Sequence, residues 1–350
     1  MKIILDAMGG DNAPDAVVRG ALEAAKEFGV QIVLVGRGAD ILASMKAQGW
    51  DTLPDGVELA NAEDVVDMHC DPAAVVKQHP NSSLVLGARM LAQGGGDALI
   101  SAGITSVSRN SHLLTAATLL VKRIRGIRRA AFSPVLPTKD GHAILIDAGA
   151  NAECTPEFLL QFGCMGSFYA QKALGIESPR VGLLNNGAED TKGDPLHREA
   201  HQLLKRAAEQ GTIHFVGNVE ARDVPFGAAD VIVADGFSGN VLLKTMEGTA
   251  MFMSDMMKQM FYRNPLTMLG ALLCKKGLNG IRKTMDYRET GGSIVIGISR
   301  PVIKAHGSSD AAAVRGAIRQ AIRAVESGFC EEIRANIGQM ILPREEEHAE

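Results

Sequence analysis

Four apolar runs in this chain end in loops whose residue types suit the capture of a small anion: LDAMGGDNAP (Leu5 to Pro14), NNGAEDTKG (Asn185 to Gly193), ADGFSGNVLLKTMEG (Ala234 to Gly248) and VIKAHGSS (Val302 to Ser309). The pair Gly9 and Gly10 lets backbone N–H groups close on an anion where a strand turns into a helix, and the helix dipole adds to the attraction. Lys192 supplies a point charge suited to phosphate. Asn240 and His306 can donate to an oxygen that becomes negative during reaction, with Lys304 beside them. A fifth loop, DAGAN (Asp147 to Asn151), adds Gly149 for close backbone approach and Asn151 as a donor. Each loop also has a plain structural reading: a tight turn at Gly9 and Gly10, a solvated Lys192, a helix N-cap at Asn240, a structural hydrogen bond from His306. Five such loops at strand ends in one chain favour a shared anionic site.

The elements that carry these loops alternate. Strands are expected at Lys2 to Ala7, Gln31 to Val35, Asp97 to Ser101, His142 to Asp147, Arg180 to Leu184, Ile213 to Val216 and Asp230 to Ala234. Helices are expected from Pro14 to Phe28, stopped by Gly29, from Pro156 to Leu174, from Pro195 to Gln210 and from Ser309 to Glu326. This spacing argues for βαβ units, a mainly parallel sheet and an α/β fold. In such a sheet the loops at the strand carboxyl ends converge on one crevice, so distant residues can share one ligand. Two β-rich pieces between Gly292 and Lys304, broken by Ser299, Arg300 and Pro301, read as a bent strand or an edge hairpin. No linker interrupts the chain, and one α/β domain is expected over 1–336, followed by a charged tail.

Composition sets the outer limits. At 350 residues the chain can bury a substantial core, and 46% apolar content with only 4% aromatic residues and 38 glycines suits a sheet covered by Ala-rich and Leu-rich helices. A net charge of −4 gives no footprint for nucleic acid. The opening run MKIILDA is a strand rather than a signal peptide, which predicts a cytoplasmic protein. Five scattered cysteines with no CxxC predict neither disulfide nor zinc site, and no metal-ligand spacing occurs elsewhere. Neither a GxGxxG fingerprint nor a P-loop is present, so no nucleotide cofactor is expected.

From Met246 to Cys274 the chain is rich in Met and Leu. Met246, Ala250, Met253, Met257 and Met260 recur at helical spacing, and Leu266, Met268, Leu269, Leu272 and Leu273 follow Pro265. Pro265 and the charges Asp255, Lys258 and Arg263 exclude a bilayer span. The stripe reads either as core or dimer interface, or as an amphipathic helical hairpin that lies on a membrane or receives an acyl chain, with Met257, Met260, Leu269 and Leu272 in contact.

Together DAMGGDNAP, SAG at Ser101, PVLPT at Pro134, DAGAN, LLNNGAEDTKG, DGFSGNVLLKTMEG and VIKAHGSS resemble, in order, the bacterial PlsX-type phosphate acyltransferases. The resemblance covers residue 1 to about residue 330. It implies a Rossmann-like α/β/α sandwich related to isopropylmalate dehydrogenase and phosphotransacetylase, a homodimer, and peripheral association with the inner face of the cell membrane. The implied reaction joins inorganic phosphate to the acyl group of long-chain acyl carrier protein, giving acyl phosphate for phospholipid synthesis. By position, the resemblance puts catalytic roles on Lys192, Asn240 and His306, and matches Asp6, Gly9, Gly10 and Asp11 in the first loop. The chain departs from the family at Ile104 to His112 and at Val76 to Ser83, where only Lys77 and His79 remain of a more basic run. Two other readings stand beside this one: a phosphotransacetylase-like enzyme using acyl-CoA, and a catalytically impaired protein that binds acyl carrier protein at the membrane.

Overall fold

The computed structural model describes residues 1–66, 70–102, 112–285 and 291–341. The strands are β1 (Lys2–Asp6), β2 (Gln31–Gly36), β3 (Val57–Asn61), β4 (Ala98–Ala102), β5 (Ala131–Thr138), β6 (Gly141–Ile146), β7 (Arg180–Asn185), β8 (His214–Glu220), β9 (Val231–Val233), β10 (Ser293–Ile296) and β11 (Val302–Ala305). They join in one sheet of order β3-β2-β1-β4-β11-β10-β5-β6-β9-β7-β8. The helices are α1 (Asp15–Phe28), α2 (Gly38–Ala47), α3 (Val75–Gln78), α4 (Ser83–Ala92), α5 (His112–Ala116), α6 (Pro156–Leu174), α7 (Pro195–Glu209), α8 (Gly236–Phe261), α9 (Pro265–Met285), α10 (Ala311–Glu326) and α11 (Phe329–Ala335). The fold is α/β with a mostly parallel sheet, as the strand-helix alternation implies.

Helices cover both faces, which is why the inner strands read as unbroken apolar runs. Ile3 and Leu5 pack with Val18 and Leu22 of α1 and Val314 and Ile318 of α10, whereas Ile4 faces Val85, Ala88 and Leu91 of α4. Helices α1 and α10 cross closely at Gly20, where a Cβ would lie 2.7 Å from the Ala311 carbonyl oxygen. Gly29 stops α1 in the left-handed region at φ 65°, its N–H donating to the Ala25 carbonyl. In the other half Phe162 and Met165 of α6 pack on Ile144, Ile146, Val181 and Val233.

Residues 293–305 form a hairpin, but in the middle of the sheet and not at its edge. Strand β10 is antiparallel to both β11 and β5, and β11 is parallel to β4. Pro301, which suggested an edge, sits in the turn, while Ile294, Val295, Ile296, Val302 and Ile303 are at most 1% exposed, as central strands require. This hairpin reverses the sheet. Strands β1 to β4, β11 and β5 run one way; β10, β6, β9, β7 and β8 run the other. The carboxyl ends of β1, β4 and β11 therefore lie on one rim, and those of β6, β7 and β9 on the opposite rim, together with the start of β5. The single convergent rim assumed from the sequence holds only within each half.

The core reading of the Met-rich stripe fails within this chain. Met253, Met256, Met260, Leu269 and Leu272 are 47–64% exposed, and Met257 is half-buried. No helix among the described residues is long and apolar enough to cross a membrane. All five cysteines are free thiols.

Candidate functional site

Asp147 follows β6 and is fully buried. Its Oδ1 accepts from the N–H groups of Phe132, Gly149 and Ala150, and its Oδ2 from the N–H and the side-chain amide of Asn151. The DAGAN loop thus wraps its own carboxylate. Burial pushes the Asp147 carboxyl above the usual range and these donors offset part of that rise. The Asn151 amide also donates to the Ala130 carbonyl at 2.8 Å, so both its donor positions serve the loop.

Helix α8 begins directly on this loop. Asp235 caps it, accepting from Phe237 and Ser238 N–H at 2.9 Å each. Asn240 is therefore not the cap: it lies in the second turn. Gly236 donates to the Asn151 carbonyl at 2.7 Å, and a Cβ on Gly239 would stand 1.9 Å from the Asp147 carbonyl oxygen. The glycines of DGFSGN let the helix start rest on the neighbouring loop. Gly149, at φ 126°, faces Asn240, whose amide carbon lies 3.6 Å from where its Cβ would be.

The Lys192 loop joins the same rim. Lys192 is exposed and its stem lies along Gly187. Asp194 caps α7 by accepting from the His197 N–H at 2.9 Å. The His197 ring reaches Asp194 Oδ1 through Nδ1 at 2.7 Å and stands with Nε2 3.9 Å from Asp235 Oδ2, so one imidazole bridges the caps of α7 and α8. One turn later, buried His201 holds Asn218 Oδ1 at 3.0 Å and approaches Asp190 at 3.5 Å, while the Asn218 amide donates to the Glu189 carbonyl. Sequence reasoning missed this pair; two histidines four apart just after a lysine loop were the signal.

Asp194, His197, Asp235, Ser238 and Cys154 line an open cleft of about 350 Å³. Burial, with Asp147 adding to it, pushes the Cys154 thiol up to about 12, so it stays protonated and is no nucleophile at neutral pH.

The remaining candidates gather on the other rim. Asp6 is buried, accepts from the Met8 N–H and the Ser101 hydroxyl, and is pushed upward by desolvation. Gly10, at φ 97°, packs on Ala102 and Gly307, and the Asp11 N–H donates to the Gly307 carbonyl at 2.8 Å. A Cβ on Gly9 would meet Ala102 and Ser101. Among the described residues no acceptor meets the N–H groups of Gly9 and Gly10. His306 Nδ1 stands 2.8 Å from the Ser308 hydroxyl. Among the described residues no hydrogen bond or ion pair links Gly9 or His306 to Lys192 or Asn240. Lys304 lies between the groups: it belongs to β11, yet its ammonium sits over Phe132, near Asp147 and Lys244.

Of the two departures, residues 103–111 fall outside the described residues. His112 starts α5 and holds the Cys70 carbonyl at 2.9 Å. His79 is committed to Asp64 at 2.7 Å.

A sequence profile described as "Fatty acid synthesis protein" matches residues 1–332. A phosphate acyltransferase of Alkaliphilus oremlandii is 42% identical over 97% of this chain and 98% of its own length. One from Desulfitobacterium hafniense is 43% identical over 99% and 100%. Among solved structures, a phosphotransacetylase from Streptococcus pyogenes superposes with TM-score 0.63 at 17% identity, covering 95% of this chain and 94% of that one. A branched-chain phosphotransacylase from Enterococcus faecalis gives 0.54 at 16%, covering 93% and 100%. The last two likenesses speak to the fold alone.

Proposed function

The chain belongs to the fatty acid synthesis protein family and is a phosphate acyltransferase; from that premise we propose that it transfers a long-chain acyl group from acyl carrier protein to inorganic phosphate. Phosphate near neutral pH is already an anionic nucleophile, so capture and orientation suffice. Lys192 offsets its charge. A phosphate oxygen attacks the thioester carbonyl carbon, and the Asn240 amide donates to the carbonyl oxygen as it becomes negative. The C–S bond then breaks, the carrier thiol takes the proton that phosphate gives up, and acyl phosphate leaves. Lys304 adds a partly desolvated cation, while Gly149 and Asn151 shape the floor beneath Asn240. Asp6, Gly9, Gly10, Asp11 and His306 form a second binding region on the opposite rim.

The observation that carries this reading is the seating of the α8 N-terminus on the Asp147 loop, with Asn240 against Gly149 and the Lys192 loop tied to the same helix through His197. Residues 1–336 act as one acyltransferase domain. The exposed faces of α8 and α9 support a homodimer and peripheral contact with a membrane through Met257, Met260, Leu269 and Leu272.

The test is to incubate the purified chain with phosphate and long-chain acyl carrier protein, trapping acyl phosphate with hydroxylamine. Phosphate-dependent hydroxamate is expected, with acyl-CoA a poorer donor. Hydroxamate from acyl-CoA alone would transfer the assignment to a coenzyme-dependent enzyme.

A further inference from the structure

No Asp or Glu occurs between Asp97 and Asp140 in a chain whose net charge is −4, and within that stretch the sequence reads Lys122-Arg123-Ile124-Arg125-Gly126-Ile127-Arg128-Arg129. Ile124, Ile127 and Ala130 are at most 5% exposed, whereas all five cations are exposed. None of the five forms an ion pair with a described residue. Unpaired like charges held this close repel one another, so a complementary surface would relieve them.

The strip is held in place by its backbone. The Ile124 N–H donates to the Gly297 carbonyl, the Ser299 N–H to the Lys122 carbonyl, and the Arg128 N–H to Gln161. It also lies beside the candidate site. Strand β5 starts at Ala131, on the rim where antiparallel β6 ends, and the Ala130 carbonyl accepts from Asn151 of the DAGAN loop. The Arg129 guanidinium lies 5.6 Å from the ring of Phe158, one turn after Cys154 at the cleft.

We infer that this strip is the docking surface for an acidic face of the protein that carries the acyl donor; the inference rests on the carrier-borne donor proposed above. An anionic bilayer fits less well. The strip itself exposes cations, with its isoleucines buried, and the largest group of exposed apolar residues, between Met251 and Leu273, lies in the outer half of α8 and in α9, at the far end of a 26-residue helix about 39 Å long that starts at the cleft.

The test compares the full chain with Arg125→Glu/Arg128→Glu, using acyl carrier protein and a carrier-free acyl N-acetylcysteamine thioester as donors at fixed phosphate. For the carrier-borne donor kcat/KM should fall on the order of 10-fold or more, through KM, and the salt dependence of the unaltered chain should flatten. The carrier-free donor should react equally with both chains, which also reports intact folding. Arg125→Gln/Arg128→Gln should shift KM in the same direction by less. Equal kcat/KM for the carrier-borne donor in all three chains overturns the docking surface alone. Rejection of that donor by the unaltered chain overturns the donor assignment, and this surface with it. Loss of binding to phosphatidylglycerol vesicles with unchanged carrier kinetics gives the strip to lipid and overturns the proposal.

Discussion

The Lys304 ammonium lies 4.6 Å above the centroid of the Phe132 ring, and the Phe132 N–H donates to Asp147 Oδ1 at 2.9 Å. A cation from one half of the sheet is thereby held beside the carboxylate that organises the other. Burial first, then Lys244, depress Lys304 below the usual lysine range, and Asp147 pulls the other way. Below that depressed value the folded chain holds a half-buried ammonium at a cost. As pH rises from there to the ordinary 10.5, the unfolded chain keeps a proton that the folded chain has released, so stability rises over this window. Lys304→Met should abolish the rise in urea unfolding. At a pH inside that window, phosphate binding near Lys304 should draw in a proton, seen as a binding heat that depends on the buffer; a heat independent of the buffer there would count against that contact.

Lys192→Ala should raise KM for phosphate with a smaller change in kcat. Asn240→Ala should lower kcat on the order of 100-fold, the usual loss when one donor to a developing oxyanion is removed. Steady-state kinetics of both variants separate the roles, and a rate equal to that of the unaltered chain in either refutes its assignment.

His201 fixes the Lys192 loop from beneath through Asn218 and Asp190. His201→Leu should raise KM for phosphate several-fold at nearly constant kcat, whereas His201→Gln, which keeps a hydrogen-bonding group there, should recover most of it. Equal KM in both variants would leave the histidine a packing role only.

Gly239 and Gly248 lie on one helix in opposite circumstances. A Cβ at Gly239 would sit 1.9 Å from the Asp147 carbonyl oxygen, while one at Gly248 meets nothing within 4 Å. Gly239→Ala should destabilise the chain by about 3 kcal/mol by lifting the helix start off the loop. Gly248→Ala should stabilise by up to about 1 kcal/mol through helix propensity. Equilibrium urea unfolding of the pair checks both signs.

Leu269 and Leu272 are 55% and 64% exposed on α9. Leu269→Glu/Leu272→Glu should abolish sedimentation with anionic liposomes and leave turnover of a carrier-free thioester unchanged. Undiminished sedimentation would remove the membrane role from this face.

Much of the fold was legible in the sequence. Helix α6 begins at Pro156 and ends at Leu174, and α1 stops at Gly29, because proline, glycine and apolar periodicity are local signals that packing reinforced. Strand β5 went unread because Pro134 and Pro137 interrupt it, and prolines argue against a central strand unless no ladder bond needs their nitrogen. The site was legible as residue types, since lysine, asparagine and glycine at strand ends have chemical meaning alone. Its partition between two rims was not, because the reversal is made by a hairpin whose partners, such as Pro134 for Ser293 and Leu99 for Val302, lie far upstream in the chain. The Lys122 to Arg129 strip was missed because burial at every third residue matches neither a helix nor a strand period.

The placement of β10 and β11 also bears on how the chain matures. Strands β4 and β5 are complete by residue 138, yet neither can close its flank until residues 293–305 arrive to stitch them together. During synthesis two half-sheets with open hydrogen-bonding borders must wait for a late segment, the period of greatest exposure to aberrant pairing. A ribosome stalled after α8 would hold a chain that already carries Lys192 and Asn240 but lacks the staple uniting its halves.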